Sequence, residues 1–369
     1  MDLEQIRASI ANVDRQIVKL LNERARISLD VAAAKRQNSN KESAGGEAGD
    51  IYVPSQEKRV FSRVKGLNCG PMSDESIVAI YREIMSASIS LQPEITISYL
   101  GPLGTFSHEA AQARFGESVS YVPCSTIDDV ISSVEDEKSA YGVVPIENST
   151  HGIVVQTLDV FIARYQQSKF RIRGEIYLPV NQCLLSRYQL SAIRKVYSHP
   201  QAFGQSKEWL KQNLPDISQV EVASTAKAAE LASAETYSAA VASKSCSQLY
   251  GLDILAEAIN SNKDNTTRFF ILGKSCDKPT GDDKSFLMIT VDHRQPGALI
   301  KALEAFALNN INMTSMNSRP SGQRMWQYMF FVEVEGHEED ANVKSALKMM
   351  APYCLDLVVL GSYPRQLVA

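Results

Sequence analysis

The feature that most constrains this chain is a long apolar stripe near the N-terminus, which a single arginine interrupts. Apolar residues recur at alternating steps of three and four, the spacing of a helix face that packs against another helix. The stripe comprises Leu3, Ile6, Ile10, Val13, Ile17, Leu20, Ile27, Val31 and Ala34. Arg24 stands between Leu20 and Ile27, where an apolar residue is expected. The pattern predicts a helix over residues 3–36, roughly 50 Å long at 1.5 Å per residue.

Arg24 therefore needs an anion, because a guanidinium stays charged and its unpaired burial costs several kcal/mol, as an order of magnitude. Lys35 follows eleven residues later, three helical turns with only about 20° of drift, so both cations share a face. Two cations that face an apolar interior suggest a binding site for a small dicarboxylate. The alternative is that Arg24 pairs with a glutamate on a neighbouring helix or marks the solvated rim of the stripe.

Composition excludes several classes of protein. A chain of 369 residues with 44% hydrophobic and 22% charged residues is typical of an ordinary soluble protein of two or three domains. A net charge of −4, with no basic stripe, argues against nucleic-acid binding. No apolar run approaches the ~20 residues of a membrane span. The N-terminus has no signal-peptide pattern and the six cysteines are scattered, so we expect a cytoplasmic protein with reduced thiols.

Polar segments divide the chain. Residues 37–50 are predicted to be a mobile loop, residues 274–284 an interdomain linker, and helical periodicity ends near residues 92–94. Before that break we predict three helices, over residues 3–36, 55–65 and 73–91. The first is too long to be covered by two short partners, which favours an intertwined dimer.

Residues 95–273 alternate short apolar runs with amphipathic helices, which predicts α/β units with parallel strands. Ligands bind such sheets outside the carboxyl ends of the strands. The strand–helix junctions carry Gly104-Thr105, residues 147–150, Ser198-His199, Ser224-Thr225 and residues 264–268. Helix capping explains any single junction more simply. Five together favour a polar cleft for a small molecule. From residue 285 onward the order of elements is βαββαβ, typical of a ferredoxin-like fold.

Five strings carry a family resemblance along this middle region: GPLGTFSHEAA (101–111), PIENSTHG (145–152), SHPQAFGQ (198–205), STAKAAE (224–230) and TTRFFILG (266–273). PGAL (296–299) and NSRPSG (317–322) extend it towards the C-terminus. The chain resembles the bifunctional chorismate mutase–prephenate dehydratases of phenylalanine biosynthesis, which end in an ACT regulatory domain.

The resemblance implies a multidomain protein. Residues 1–92 would form an all-α chorismate mutase domain, paired as an intertwined dimer. Residues 95–273 would form a two-lobed α/β dehydratase domain similar to the periplasmic-binding-protein type II fold. Residues 285–369 would form an α+β, ferredoxin-like ACT domain. The assembly would be a homo-oligomer, either dimer or tetramer, and no metal or organic cofactor is implied.

For the mutase, the resemblance implies that Arg24, together with Arg7 of the partner subunit, holds the two carboxylates of chorismate. The other implied contacts are Lys35 and Gln92 to the ether oxygen, Glu57 to the ring hydroxyl, and Ser88 in the lining. The rearrangement is unimolecular, so the site needs to compact the substrate and stabilise growing negative charge rather than move protons. Gln56 stands where the family often has arginine, which predicts lower substrate affinity.

For the dehydratase, the resemblance implies that Thr267 is the acid that protonates the departing hydroxyl of prephenate, giving phenylpyruvate. A threonine is a poor acid, so our hypothesis is that Thr267 positions or relays a proton from Glu147 or a water. Glu147 would suit that role if burial raised its pKa. Arg268 either anchors a substrate carboxylate or braces the motif, and His199 is either a base or a helix cap. Further lining residues are Thr105, Asn148, Ser149, Ser224 and Thr225.

For the ACT domain, the resemblance implies that phenylalanine binds at Gly297, Ala298 and Leu299 and at the segment Asn317, Ser318 and Arg319. Asn317 replaces a glutamate of the family motif and cannot pair ionically with the effector's ammonium group. We therefore expect inhibition by phenylalanine that is weaker than in the family. Two alternative functions remain at this point: an arogenate dehydratase, and a non-catalytic protein that binds an aromatic metabolite.

Overall fold

The computed structural model describes residues 2–39, 53–91, 95–167, 169–292, 294–322 and 326–366. They belong to two compact units, one of Met1–Ile95 with Phe115–Ser120 and one of Thr96–Arg114 with Tyr121–Ala369. Within those described ranges, we find no helix with the length and apolar character needed to cross a membrane.

The described helices follow in chain order. They are α1 (Leu3–Ser39), α2 (Pro54–Leu67), α3 (Asp74–Ser90), α4 (Phe106–Phe115), α5 (Ile127–Glu135), α6 (Val155–Arg164), α7 (Pro200–Asn213), α8 (Thr225–Ala234), α9 (Ser245–Tyr250), α10 (Ala298–Leu308) and α11 (Ala341–Met350). Short 3₁₀ turns occur at Leu190–Ala192 and Ala351–Tyr353.

The described strands alternate with them. They are β1 (Thr96–Leu100), β2 (Ser120–Cys124), β3 (Tyr141–Asn148), β4 (Gly152–Ile153), β5 (Arg171–Pro179), β6 (Cys183–Ser186), β7 (Lys195–Ser198), β8 (Ser218–Glu221), β9 (Ser238–Ala242), β10 (Asp253–Ala256), β11 (Thr266–Gly273), β12 (Asp283–Val291), β13 (Met313–Pro320), β14 (Tyr328–Glu335) and β15 (Cys354–Pro364).

The first unit contains the three predicted helices. α3 begins where Ser73 caps it by accepting from Ser76 N at 3.1 Å, and α2 begins with Pro54 in its first turn. α1 continues to Ser39, so the loop prediction is wrong for residues 37–39, where no glycine or proline ends the helix. Residues 40–50 of that predicted loop lie outside the described residues. The apolar stripe on α1 is exposed, with side chains such as Ile6 at 42% and Leu20 at 62%.

The second unit contains two α/β lobes, each built on its own sheet. The first has strand order β2-β1-β3-β11-β5 with β4 beside β3, and the second has order β10-β6-β9-β7-β8. Parallel pairing joins β1 to β3 and β7 to both β8 and β9, as predicted. The prediction of parallel strands is wrong for β11, which is antiparallel to β3 and β5, and for β6 and β10.

The antiparallel run of β11 has a topological cause. The chain leaves the first lobe along β5 and returns along β11, and these two strands are neighbours. The two connections between the lobes are hydrogen-bonded to each other, because Val180 N donates to Asn265 O at 2.7 Å. As a result the first residues of β11 lie at the carboxyl end of β3, where Thr267 stands opposite Asn148.

The C-terminal region forms a four-stranded sheet of order β13-β14-β12-β15, which carries α10 and α11 and confirms the βαββαβ prediction. β12 begins at Asp283, so the linker prediction is wrong for Asp283 and Lys284, which are both buried strand residues. One hydrophobic core joins this sheet to the first lobe, with Phe270 against Phe286 at 5.1 Å between ring centroids.

Candidate active sites

In the first unit, Arg24 projects from α1 towards α3. Its Nη1 donates to Ser88 Oγ at 2.7 Å, and that hydroxyl donates to Ile84 O at 2.7 Å. Burial lowers the pKa of the half-buried Arg24 guanidinium. Tyr81 opposes this lowering of the pKa, and Arg63 adds to it. Among the described residues, no carboxylate forms an ion pair with Arg24. Within the described ranges, the cation thus has a hydroxyl partner and no carboxylate partner, the condition that an anionic ligand satisfies.

The other residues expected in the mutase site are only partly described. Glu57 lies in the first turn of α2 and is half-buried, whereas Gln56 and Arg7 are exposed. The side chain of Lys35 and the whole of Gln92 lie outside the described part of the chain, so their expected contacts to an ether oxygen stay predictions.

In the second unit, Asn148 connects the ends of β3 and β11. Its Nδ2 donates to Thr267 Oγ1 at 2.9 Å and to Asn265 Oδ1 at 2.8 Å. Its Oδ1 accepts from Thr150 N at 3.0 Å and from His151 N at 3.0 Å. Two residues that the sequence singled out, Asn148 and Thr267, are thus in direct contact.

Two other members of this cluster, Asn265 and His151, lie in the polar junctions or motifs of the sequence but were not predicted as site residues. Asn265 is only 1% exposed, and its Oδ1 also accepts from Thr150 Oγ1 at 3.1 Å. His151 Nδ1 lies 3.1 Å from Asn148 Oδ1 and 3.5 Å from Gln205 Nε2. Ser149 closes the cluster, because its hydroxyl accepts from Thr266 N at 2.9 Å. His151 lies in the motif PIENSTHG and Asn265 directly precedes TTRFFILG, so these motifs were the sequence signal for both residues.

The hydroxyl of Thr267 is used as a hydrogen-bond acceptor but not as a donor among the described residues. It accepts from Asn148, and within the described ranges no group accepts its own hydrogen. Asn148 fixes the acceptor side of the oxygen, so the O–H can be directed to a ligand.

Glu147 does not meet the condition set for a proton source. Its side chain is 43% exposed, and its Oε2 lies 4.0 Å from Arg268 Nη1. The burial that this hypothesis requires is therefore not found.

Arg268 is engaged by other groups of the protein. Its guanidinium is 8% exposed, lies 2.7 Å from Glu175 Oε2 and also pairs with Glu333. Burial lowers the pKa of Arg268, but Tyr363 and the two carboxylates outweigh burial and the pKa is raised overall. Of the two alternatives for this residue, the structure favours the brace over the substrate anchor.

Several predicted lining residues cap helices. His199 Nδ1 accepts from Gln201 N at 3.3 Å at the start of α7; burial lowers the pKa of His199 and Glu221 opposes the shift. Ser224 accepts from Lys227 N at 3.0 Å at the start of α8. Thr105 donates to Leu100 O at 3.1 Å before α4, and Thr225 is buried. The capping alternative therefore describes the junctions at His199 and Ser224, whereas the junctions at Asn148 and Thr267 form the polar cluster.

The expected effector residues lie at two places in the C-terminal sheet. Gly297 precedes α10 with φ +80°, a backbone conformation that favours glycine, while Ala298 and Leu299 pack into the core of the sheet. Asn317 and Ser318 lie on β13 at the edge of the sheet, where Asn317 Nδ2 donates to Ser315 Oγ at 3.2 Å. Arg319 pairs with Asp159 of α6 at 2.9 Å.

A helical unit whose Arg24 pairs with no described carboxylate, a two-lobed unit with hydrogen-bonded Asn148 and Thr267, and an attached βαββαβ sheet together indicate a multidomain enzyme. Family models match the three regions in that order: chorismate mutase type II at residues 6–93, prephenate dehydratase at 97–277 and the ACT domain at 279–348.

Two known proteins are similar to this chain over nearly its whole length, and a solved structure is similar over most of it. The chain is 43% identical to the bifunctional chorismate mutase/prephenate dehydratase of Aquifex aeolicus, over 100% of this chain and 99% of that protein. It is 38% identical to the same enzyme of Stutzerimonas stutzeri, over 98% of each. The solved prephenate dehydratase of Arthrobacter aurescens, in complex with L-Phe, matches with TM-score 0.68 and 31% identity, over 73% of this chain and 90% of that one. The chain belongs to the bifunctional chorismate mutase/prephenate dehydratase family.

Proposed function

We propose that this enzyme rearranges chorismate to prephenate in its helical unit and converts prephenate to phenylpyruvate at the cluster around Thr267. The observation that carries the second assignment is the 2.9 Å hydrogen bond from Asn148 Nδ2 to Thr267 Oγ1. It leaves the threonine hydrogen available at the point where β3 and β11 end together.

In the dehydratase step, the bond from the ring to its carboxylate breaks, and its electron pair moves into the ring as carbon dioxide leaves. The ring then expels its hydroxyl group as an aromatic system forms, and one proton is consumed to release that group as water. Thr267 donates a hydrogen bond to the departing oxygen, where negative charge grows. The proton itself comes from solvent, because a threonine hydroxyl is too weak an acid to supply it.

Replacement of Thr267 by serine and by valine tests this role. The serine variant should retain most dehydratase turnover, and the valine variant should lose about 10²-fold or more of kcat. Chorismate mutase turnover of the same preparations serves as the internal control, because the two activities belong to separate units. A valine variant with near-normal dehydratase turnover would remove the hydroxyl from the mechanism.

In the mutase, we propose that the Arg24 guanidinium binds one carboxylate of chorismate while Ser88 holds the side chain in place. The support is its unmatched charge among the described residues and its 2.7 Å contact to Ser88. The Arg24→Gln variant should lose mutase kcat/KM by at least 10²-fold and keep its dehydratase activity.

We further propose that the enzyme is a homo-oligomer in which α1 pairs with α1 of a second copy. Eight apolar side chains of the stripe are exposed by 42–62% in the single chain, a row that a second helix would bury. Sedimentation analysis distinguishes the dimer from the tetramer, and a monomer at micromolar concentration would contradict the proposal.

We also propose feedback inhibition by phenylalanine through the ACT domain in phenylalanine biosynthesis. The solved relative of Arthrobacter aurescens is in complex with L-Phe, and the β13 edge and Gly297 turn that the family resemblance implicates are present here. Dehydratase rates across a phenylalanine titration test this, and unchanged rates at millimolar phenylalanine would contradict it. Rates with prephenate and with arogenate, measured side by side, decide between the two dehydratase substrates.

A further inference from the structure

Four alternating charges are buried between the dehydratase sheet and the regulatory sheet. Arg268 Nη2 lies 2.7 Å from Glu175 Oε2 and pairs with Glu333, while Lys284 Nζ lies 3.2 Å from Glu175 Oε2 and 3.4 Å from Glu333 Oε1. Their side chains are at most 9% exposed. We call these four residues the charge cluster. β5 and β11 supply one anion and one cation, and β14 and β12 supply the other two.

Such a cluster is poorly explained by stability alone. Desolvation of buried charges offsets much of their attraction, and apolar residues of similar volume often stabilise a core as well or better. The same boundary has apolar contacts of that kind, since Phe270 of β11 lies against Phe286 and Tyr363 at 5.1 and 5.6 Å between centroids. The ion pairs instead specify the relative orientation and register of the paired strands, which apolar contacts do not specify.

The orientation matters because Arg268 is the residue after Thr267. Successive side chains of a strand point to opposite faces, so the charge cluster holds one face of β11 and Thr267 lies on the other. The pairing of β11 with β3 shifts register between Arg268 and Phe269, an irregularity that re-aims side chains. Fixing Arg268 at this irregularity fixes the angle at which Thr267 meets Asn148.

On its regulatory side, the cluster reaches the edge strand that carries the expected effector segment. Thr314 of β13 donates from Oγ1 to Glu333 Oε1 at 2.6 Å, three residues before Asn317. Tyr363 donates to Glu333 Oε2 at 3.0 Å, which fixes the second carboxylate oxygen. Glu333 is thus bonded on one side to the effector strand and on the other to the neighbour of Thr267.

We propose that Glu333, a residue of the regulatory sheet, is a positioning residue of the dehydratase reaction. Through Arg268 it sets the orientation of Thr267, and through Thr314 it makes that orientation respond to an effector bound along β13. This inference rests on the proposed role of Thr267 and adds the route by which the regulatory sheet reaches it.

The first test is Glu333→Gln, which keeps the shape and removes the charge. Dehydratase kcat should fall about tenfold or more, with KM for prephenate changed less than threefold, because Thr267 is misaligned rather than removed. The ratio of rates with and without phenylalanine should move towards one. The matched control is Glu335→Gln on the same strand, which removes a partner of Arg365 that is 38% exposed and should leave kcat unchanged.

A double-mutant cycle separates this inference from the proposed function. In the Thr267→Val background, Glu333→Gln should have almost no further effect on kcat, since both changes act through one hydroxyl. If Thr267→Val turns over normally, the proposed function fails. If Thr267→Val is slow and Glu333→Gln is normal, or if the two losses multiply, only the inference is overturned.

A second variant covers the case in which Glu333→Gln does not fold. Lys284→Met with Glu333→Gln removes one cation and one anion and leaves the Arg268–Glu175 pair neutral. Folding is followed by intrinsic fluorescence, because both tryptophans, Trp209 and Trp326, belong to the second unit. This variant should fold and remain slow as a dehydratase, and normal turnover would overturn the inference.

Discussion

Gly361 offers a sharp test of how the regulatory sheet docks on the dehydratase sheet. This residue of β15 passes so close to β5 that an added Cβ would lie 2.1 Å from Ile172 O and 2.6 Å from Ile172 N. Both contacts are with backbone atoms, which cannot rotate away as a side chain would. The Gly361→Ala substitution therefore forces the two strands apart.

The magnitude follows from the geometry. An ordinary van der Waals contact begins near 3.4 Å, so the strands must open by about 1.3 Å at this point. Overpacking typically costs 1–3 kcal/mol, and a clash with rigid backbone belongs at the upper end, about 3 kcal/mol. For a unit of this size, each kcal/mol lowers Tm by roughly 2–4 °C, so we expect a decrease of roughly 6–12 °C.

Thermal unfolding followed by tryptophan fluorescence measures this, because both tryptophans report on the second unit. The matched control is Gly204→Ala in α7, where an added Cβ meets nothing within 4 Å. Alanine is the better helix former there, so the free energy of unfolding should rise by about 0.5–1 kcal/mol. A Gly361→Ala protein that melts within 2 °C of the parent would refute the docking geometry.

Three further predictions address other parts of the molecule. Burial lowers the pKa of His108, so the folded chain binds fewer protons than the unfolded one, and the free energy of unfolding should fall as pH drops below about 6.5; urea titrations should show a smaller pH slope in His108→Phe. Ser88→Ala removes the hydroxyl partner of Arg24, and mutase kcat/KM should fall about tenfold in a chorismate-absorbance assay, with dehydratase turnover unchanged. Ile10→Asp with Ile17→Asp places charges on the stripe and should yield monomers in sedimentation, whereas an intact oligomer would place the interface elsewhere.

Local patterns predicted the elements well. The alternating three- and four-residue spacing gave the long helix α1, and the βαββαβ order gave the C-terminal sheet, because both depend on periodicity within a short window. The direction of β11 was not predictable in this way. It depends on the crossing between the lobes, which brings Arg268 beside residues far away in the sequence.

The same limit applies to the sites. Asn148 and Thr267 could be singled out because each lies in a dense polar motif at a strand end. The partners of Arg268 could not, since Glu175 and Glu333 are distant in sequence and share no spacing with it. One weak signal was present for Glu333, which stands within the apolar strand β14, where a buried carboxylate requires a cation.

The two ends of the second lobe lie side by side, because Val180 N donates a hydrogen bond to Asn265 O at 2.7 Å. If a short turn replaced residues 181–264, β5 would still pair with β11, and the regulatory sheet would still share its hydrophobic core with the first lobe. The shortened chain would keep the first lobe and the hydrogen bond from Asn148 to Thr267, and it would lose the second sheet. Dehydratase turnover of the shortened chain would therefore measure what the second lobe contributes.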